Sequence, residues 1–386
     1  MKVVVFGAGY VGFSTSVLFA QEYPTTVVDV SQEKVETINA GGCPFVDKDY
    51  ERYRLKACTQ LEATQDIDVV DDAAYACIAI PSDYCETLNA YDTSDIKELV
   101  LEISQRNQDA VIVIRSTVGV GFTEQISELV ENEVVYCPEF LREGSAVRDT
   151  FSPDRIVIGG DMDTARRLAE SMRSCLDLRT TPVLYATYAE AEAVKLFANA
   201  YLAMRVAFFN ELDSFALHHD LDAKKIIDGV CLDPRIEQHY NNPSFGFGGY
   251  CLPKDTQVLS KVTGLTYGML IDSITQSNDA RKQLIAERIK QLGPKTIGIY
   301  RLCMKRGSDN FREAAIIDIL RFLHDNGESL VIFEPLASED TYEGVPVIKD
   351  FIRFCDMSDV ILANRVDDRI KPFADKVFTR DVFQRD

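Results

Sequence analysis

Residues 2–6, KVVVF, run straight into GAGYVG, and a helix-like stretch, SVLFAQ, follows. A β-branched apolar run of that length is the pattern of a strand buried on both faces in a parallel sheet. The glycine spacing then gives each glycine its own role. Gly7 permits a tight turn, Gly9 lets the backbone approach a pyrophosphate, and Gly12 lets the helix pack close to the strand. The helix amides then face the phosphates. Three glycines also occur in ordinary strand turns. What separates this case is TTVVDV, a second strand ending in Asp29, seventeen residues after Gly12, where a carboxylate accepts from ribose hydroxyls. An acid there repels the extra phosphate of NADP and so favours NAD, while Lys34 nearby argues the other way.

Further apolar runs continue the alternation: YACIAIP ends at Pro81, AVIVIRSTV reaches Thr117 and Val118, and VVYCPEF reaches Glu139, with amphipathic stretches between. A parallel sheet with crossover helices explains this. Ligands of such sheets bind beyond the carboxyl ends of the strands, which puts Pro81, Ser82, Thr117 and Glu139 on the ligand side. RIVIGG, residues 155–160, reads as another strand. A chain of 386 residues exceeds one hydrophobic core, so two or three domains are expected. After Gly293-Pro294 come a strand TIGIY, a basic loop with Arg301, Lys305, Arg306 and Arg312, a helix and a strand SLVIFEP, which fits a second nucleotide-type βαβ unit. In a chain with a formal charge of −20 such a concentration of cations suits phosphate, although a solvated basic loop is the plainer reading.

The same net charge repels nucleic acid and anionic membrane surfaces. No stretch reads as a signal peptide or a membrane span, and the ten scattered cysteines, without CxxC or a zinc-like partnership with histidine, suit buried thiols in a cytoplasmic protein with no bound metal. From about Thr187 to His219 the chain has neither proline nor glycine and is apolar around nearly its whole circumference, as expected of a long helix clasped by domains or by a second subunit. Lys195 and Asn199 interrupt that surface four residues apart, hence on one face, and both can donate hydrogen bonds to a negatively charged oxygen. A snorkelling lysine is the alternative.

SFGFGGYCLPKDT, residues 244–256, sets Cys251 between a glycine loop and a helix start marked by Pro253. A helix N-terminus and Lys254 both favour the thiolate. Most cysteines beside turns are structural. Next to a nicotinamide site, however, a positioned thiol implies a particular chemistry, because an aldehyde becomes a good hydride donor once a thiolate has added to it. The thiohemiacetal is then oxidised to a thioester, which water cleaves to an acid.

In these residues the chain resembles the UDP-glucose dehydrogenases, within the family of nucleotide-sugar dehydrogenases that convert a primary alcohol to a carboxylate with two NAD. GAGYVG, STV at 116–118, PEFLREG at 138–144, the Lys195/Asn199 pair, DPRIEQHYNNPSFGFGGYCLPKD and MKRGSDNFRE follow the family's order along essentially the whole chain. The resemblance implies an α/β fold of two Rossmann-like doubly wound parallel-sheet domains joined by a long central helix: an NAD-binding domain over 1–190, a helical dimerisation region with the cysteine loop over 191–290, and a UDP-sugar-binding domain over 291–386. It implies a homodimer through that helix and UDP-glucose as substrate, with GDP-mannose and UDP-N-acetylmannosamine as alternatives.

The same resemblance assigns roles. Cys251 is the nucleophile, Lys195 and Asn199 stabilise oxyanions, Asp255 works with Lys195 and a water in proton transfer, and Thr117, Glu139 and Glu143 hold or activate that water. Tyr10, Val11, Asp29, Lys34, Ser82, Thr117, Glu143, Lys254 and Arg312 match cofactor-contact positions beside Gly7, Gly9 and Gly12. Phe140, Leu141, Tyr240, Asn241, Asn242, Pro243, Ser244, Gly248, Tyr250 and Lys305 match the sugar-nucleotide cradle, and Arg235 matches an arginine lent across the dimer. Ser82 stands where the family commonly has threonine and keeps the hydroxyl.

Overall fold

The structure, a computed structural model, describes residues 1–85, 87–142, 144–249, 251–302, 314–337 and 339–384, with the backbone alone for 263–267. The chain divides into two compact units, Met1–Leu196 and Phe197–Asp386.

The first unit is built on β1 (Val3–Phe6), β2 (Thr25–Val28), β3 (Leu61–Thr64), β4 (Tyr75–Ile78), β7 (Val111–Ile114), β8 (Val134–Tyr136), β9 (Ile156–Gly160) and β10 (Val183–Ala186); β5 (Tyr84–Cys85) and β6 (Ala90–Tyr91) form a separate hairpin. The sheet order is β10-β9-β8-β7-β4-β1-β2-β3. From β3 to β8 every pairing is parallel, with registers such as Val3↔Thr25 and Val3↔Tyr75. Both faces of β1 are buried, Val3 and Val5 in one apolar cluster and Val4 and Phe6 in the other, which is why the strand carries no alternation. RIVIGG does form a strand, but β9 runs antiparallel to β8.

In the second unit β11 (Ile297–Tyr300), β12 (Leu330–Phe333), β15 (Val360–Ala363) and β16 (Val377–Phe378) form a parallel sheet in the order β12-β11-β15-β16, beside a hairpin of β13 (Thr341–Tyr342) and β14 (Val345–Pro346). The order β12-β11-β15 repeats β2-β1-β4. So does the turn after the first strand. Gly7 N donates to Val28 O at 2.8 Å, and Arg301 N donates to Phe333 O at 2.9 Å. Ala8 N donates to Asp29 Oδ2 at 2.6 Å, and Leu302 N donates to Glu334 Oε2 at 2.9 Å. Both turns need a positive φ, +96° at Gly7 and +65° at Arg301.

The long helix expected from the sequence is continuous from Tyr188 to His218, about 45 Å at 1.5 Å per residue. Within the second unit its Ala203, Phe209 and Asp213 are buried, whereas Phe197, Tyr201, Phe208 and Phe215 are about half exposed. Those four positions fall on one face at 100° per residue.

Candidate active site

At the turn after β1 each glycine has a distinct surrounding. A Cβ on Gly12 would stand 1.8 Å from Gly7 O and one on Gly7 would stand 2.5 Å from Ala79 O, so neither position admits a side chain. Gly9 is exposed and would carry its Cβ into open space. It caps the helix Tyr10–Phe19 and offers no side-chain acceptor to the first amides, the end of a helix that suits an anion. Asp29 is buried at the end of β2, where Oδ1 accepts from Ser31 N at 2.9 Å and Oδ2 faces Lys34 Nζ at 3.4 Å. An open cradle, a helix N-terminus and an oriented carboxylate fit a dinucleotide.

Beyond the carboxyl ends of β4 and β7 two segments are tied together. Ser82 Oγ donates to Thr117 O at 2.5 Å, and Ser116 Oγ donates to Ile80 O at 2.7 Å. Thr117 itself is half-buried. Lys195 reaches Glu139 from the long helix: its Nζ donates to Oε1 at 2.8 Å and to the backbone oxygen at 2.7 Å, and both side chains are buried. Glu139 Oε2 also accepts from Leu141 N at 2.7 Å. Burial pushes the Glu139 carboxyl up, but the Lys195 charge and hydrogen bond, the Leu141 amide and Arg115 outweigh it and hold the group below its ordinary value. Phe140 has two cations near its ring, with the Arg155 guanidinium 3.9 Å and the Lys195 ammonium 5.5 Å from its centroid.

In the second unit Cys251 is the first residue of the helix Cys251–Tyr267, with Pro253 inside its first turn as expected. Cys251 is half-buried; by contrast burial pushes the Cys77 thiol up to about 12, which marks it as inert. No disulfide joins the cysteines of the described residues. Asp255, fully buried one turn after Cys251, accepts from Asn199 Nδ2 at 2.5 Å and pairs with Lys254 Nζ at 3.2 Å. Thus Lys195 and Asn199, neighbours on one helix face, each hold a different carboxylate.

The loop before the cysteine is more deeply buried than a ligand cradle read from sequence suggests. Asn241, Asn242, Pro243 and Ser244 are all buried. Asn241 Nδ2 donates to Gln238 Oε1 at 2.8 Å, Asn242 Nδ2 donates to Asp381 Oδ1 at 2.7 Å, and Ser244 Oγ donates to Gly246 O at 2.8 Å. Gly248 is half-buried, and Tyr240 is exposed at φ +48°. Arg235 is exposed and engages Asp233 with Nε and Nη2 at 3.0 and 2.6 Å. Glu143, Tyr250, Lys305, Arg306 and Arg312 lie outside the described residues.

Sequence reasoning missed Glu192, which sits fully buried one turn before Lys195 and accepts from Gly121 N at 2.6 Å and Thr123 N at 2.8 Å, thereby fixing the segment that follows Thr117. Burial pushes its carboxyl above the ordinary value despite these bonds. It also missed Asn210, Asn278 and Asn364, buried amides around residues 244–247. Among the described residues no cluster of three or more His, Cys, Asp or Glu could hold a metal ion, and no helix is long and apolar enough to cross a membrane.

Three family models match the chain in succession: the NAD binding domain of the UDP-glucose/GDP-mannose dehydrogenase family over residues 1–175, its central domain over 189–280 and its UDP binding domain over 298–384. Curated proteins named UDP-glucose 6-dehydrogenase from Campylobacter jejuni and Streptococcus pneumoniae are each 41% identical, over 393 and 394 residues, with 100% of both chains covered. The solved structure of a UDP-glucose dehydrogenase from Pyrobaculum islandicum superposes with a TM-score of 0.87 at 25% identity, covering 98% of this chain and 94% of that one.

Proposed function

The chain belongs to the UDP-glucose/GDP-mannose dehydrogenase family, whose members are NAD-dependent dehydrogenases, and from that premise we propose that it oxidises UDP-glucose to UDP-glucuronate in two successive steps. The observation that carries the substrate is the 41% identity, end to end, to two UDP-glucose 6-dehydrogenases.

Bound NAD supplies a hydride acceptor in each oxidation. In the first, the C6 alcohol loses a proton and a hydride to give an aldehyde, and the ammonium of Lys195 and the amide of Asn199 stabilise the alkoxide oxygen. The Cys251 thiolate then adds to the aldehyde carbon and the oxygen takes a proton, forming a thiohemiacetal. Loss of a second hydride and a proton gives the thioester. Water, held by Thr117, Glu139 and Glu143 and deprotonated with the help of Asp255, cleaves it to the carboxylate and regenerates the thiol. The balance is one alcohol, one water and two NAD+ to one carboxylate, two NADH and three protons.

Tyr240, Asn241, Asn242, Pro243, Ser244, Gly248 and Tyr250, with Phe140, Leu141 and Lys305, shape the sugar-nucleotide cradle. The domains divide as 1–190, 191–290 and 291–386. A second copy of the chain covers the exposed aromatic face of Phe197, Tyr201, Phe208 and Phe215 and lends Arg235 to its neighbour's site, in a cytoplasmic homodimer.

Limiting UDP-glucose with excess NAD tests the reading: two NADH per sugar and accumulation of UDP-glucuronate are expected. Turnover of GDP-mannose or UDP-N-acetylmannosamine in preference to UDP-glucose overturns the substrate. A Cys251→Ala variant that still forms the acid near the parental rate overturns the covalent role.

A further inference from the structure

Three glycines, Gly246, Gly248 and Gly249, lie within four positions just before Cys251, a composition that leaves the backbone conformationally free unless something else holds it. That holding is done by side-chain amides from separate elements. Asn210, on the long helix, accepts from Ser244 N at 2.8 Å. Asn364, just after β15, accepts from Phe245 N at 3.0 Å. Asn278, on the helix Met269–Gln291, does more: its Oδ1 accepts from Phe247 N at 2.8 Å and its Nδ2 donates to Phe247 O at 2.9 Å. Both polar groups of one residue are thus read by one amide, as a neighbouring strand would read them. Arg281, one turn further along that helix, donates from Nε and Nη2 to Ser244 O at 3.1 and 2.9 Å while its Nη2 pairs with the buried Asp213 at 2.5 Å.

Asn278 is 5% exposed, so its amide is bound to the loop and not to solvent. The fit leaves no slack. A Cβ on Gly246 would stand 2.9 Å from Asn278 Oδ1, so the glycine is what lets the amide reach Phe247. The thiol follows four residues after Phe247, at the start of its helix.

We propose that Asn278 is a positioning residue for Cys251: by pinning both backbone groups of Phe247 it fixes the origin of the Gly248–Gly249 segment and hence where the thiol is presented to the aldehyde. This rests on the reading of Cys251 as the nucleophile. Asn278 touches no reacting atom. It acts through the loop, and its loss displaces the thiol without altering the dinucleotide turn of the first unit.

The test compares the parent with Asn278→Ala, reading two things. The first is the rate at which iodoacetamide alkylates Cys251, followed on its own peptide by mass spectrometry; the second is kcat with UDP-glucose, alongside the Kd for NAD. A misplacement of about 1 Å costs up to about 100-fold in turnover, so kcat is expected to fall by that order, with Cys251 alkylation changed by about tenfold and NAD affinity unchanged. Parental alkylation and kcat in a folded variant overturn the proposal, and so does a lowered melting temperature alone. If Asn278→Ala does not fold, Asn278→Asp, which keeps the acceptor and loses the donor, and Gly246→Ala, which pushes the amide away from the loop side, decide it by the same readings. A parent that makes no NADH from any sugar nucleotide sinks the proposed function instead, and the alkylation comparison still reports on the loop.

Discussion

Lys195 Nζ lies 2.8 Å from Glu139 Oε1 and 2.7 Å from the Glu139 backbone oxygen, so one buried ammonium clamps a carboxylate to its own main chain. Removing it leaves Glu139 buried without its nearest cation, which costs about 3–5 kcal/mol. If Lys195 stabilises the alkoxide as proposed, Lys195→Ala is expected to lower kcat by about 100-fold or more, with a smaller effect on the KM of the sugar nucleotide, because a donor to developing charge acts in the transition state. Steady-state kinetics decide this, and a pure rise in KM would make Lys195 a binding group.

The same pair predicts a pH dependence of stability. Glu139 is held below its ordinary value of 4.5, so its contribution is complete above that pH and is lost as the pH falls through the lowered value. Denaturant titrations below pH 4.5 should show the parent losing stability that a Glu139→Gln variant never had.

Glu192 has the opposite sign. Its carboxyl is raised above 4.5 by burial, so the folded chain holds this proton over a range where the unfolded chain has released it. Between pH 4.5 and the raised value the parent should therefore lose stability as pH rises, and Glu192→Gln should lack that slope. Urea unfolding of both proteins across this range measures it.

Asp29→Ala removes the acceptor proposed for the ribose hydroxyls and leaves the Ala8 amide without Asp29 Oδ2. A hydrogen bond to a charged acceptor contributes about 1.5–3 kcal/mol, so the KM for NAD should rise by about tenfold or more while discrimination against NADP relaxes. Unchanged constants for both cofactors would refute the assignment.

Phe208 lies on the exposed aromatic face of the long helix. If a second copy covers it, two-fold symmetry buries the ring twice, and Phe208→Lys should weaken association by roughly 2 kcal/mol for each copy. Analytical ultracentrifugation should show a shift from dimer to monomer; a parent that sediments as a monomer would refute the dimer.

What was legible in the sequence was local. Gly7 and Gly12 could be assigned because backbone sterics act within a few residues, and Lys195 and Asn199 because helical spacing places them on one face. Their partners could not be derived that way, since Glu139 and Asp255 each lie 56 residues from the side chain that holds them. The strand-end rule put Glu139 on the ligand side and the family resemblance named Asp255, but neither paired Glu139 with Lys195 or Asp255 with Asn199. Asn210 and Asn278 sit in helices, where an asparagine reads as a polar surface residue, and nothing local shows that a glycine loop from elsewhere will occupy their amides. The direction of β9 was equally hidden, because RIVIGG has the same pattern whichever way it runs.

The two strand turns bear on any attempt to re-engineer cofactor choice. Glu334 is fully buried and covered by the Arg301 guanidinium at 3.3 Å, yet it still takes the Leu302 amide much as Asp29 takes that of Ala8. The carboxylate at this corner therefore serves the turn even where it is sealed from any ribose. A design that converts Asp29 to a small or basic residue to admit a 2′-phosphate also removes the acceptor that shapes the glycine turn. Asparagine or serine at position 29, which can still accept from Ala8 N, is the better starting point for that change.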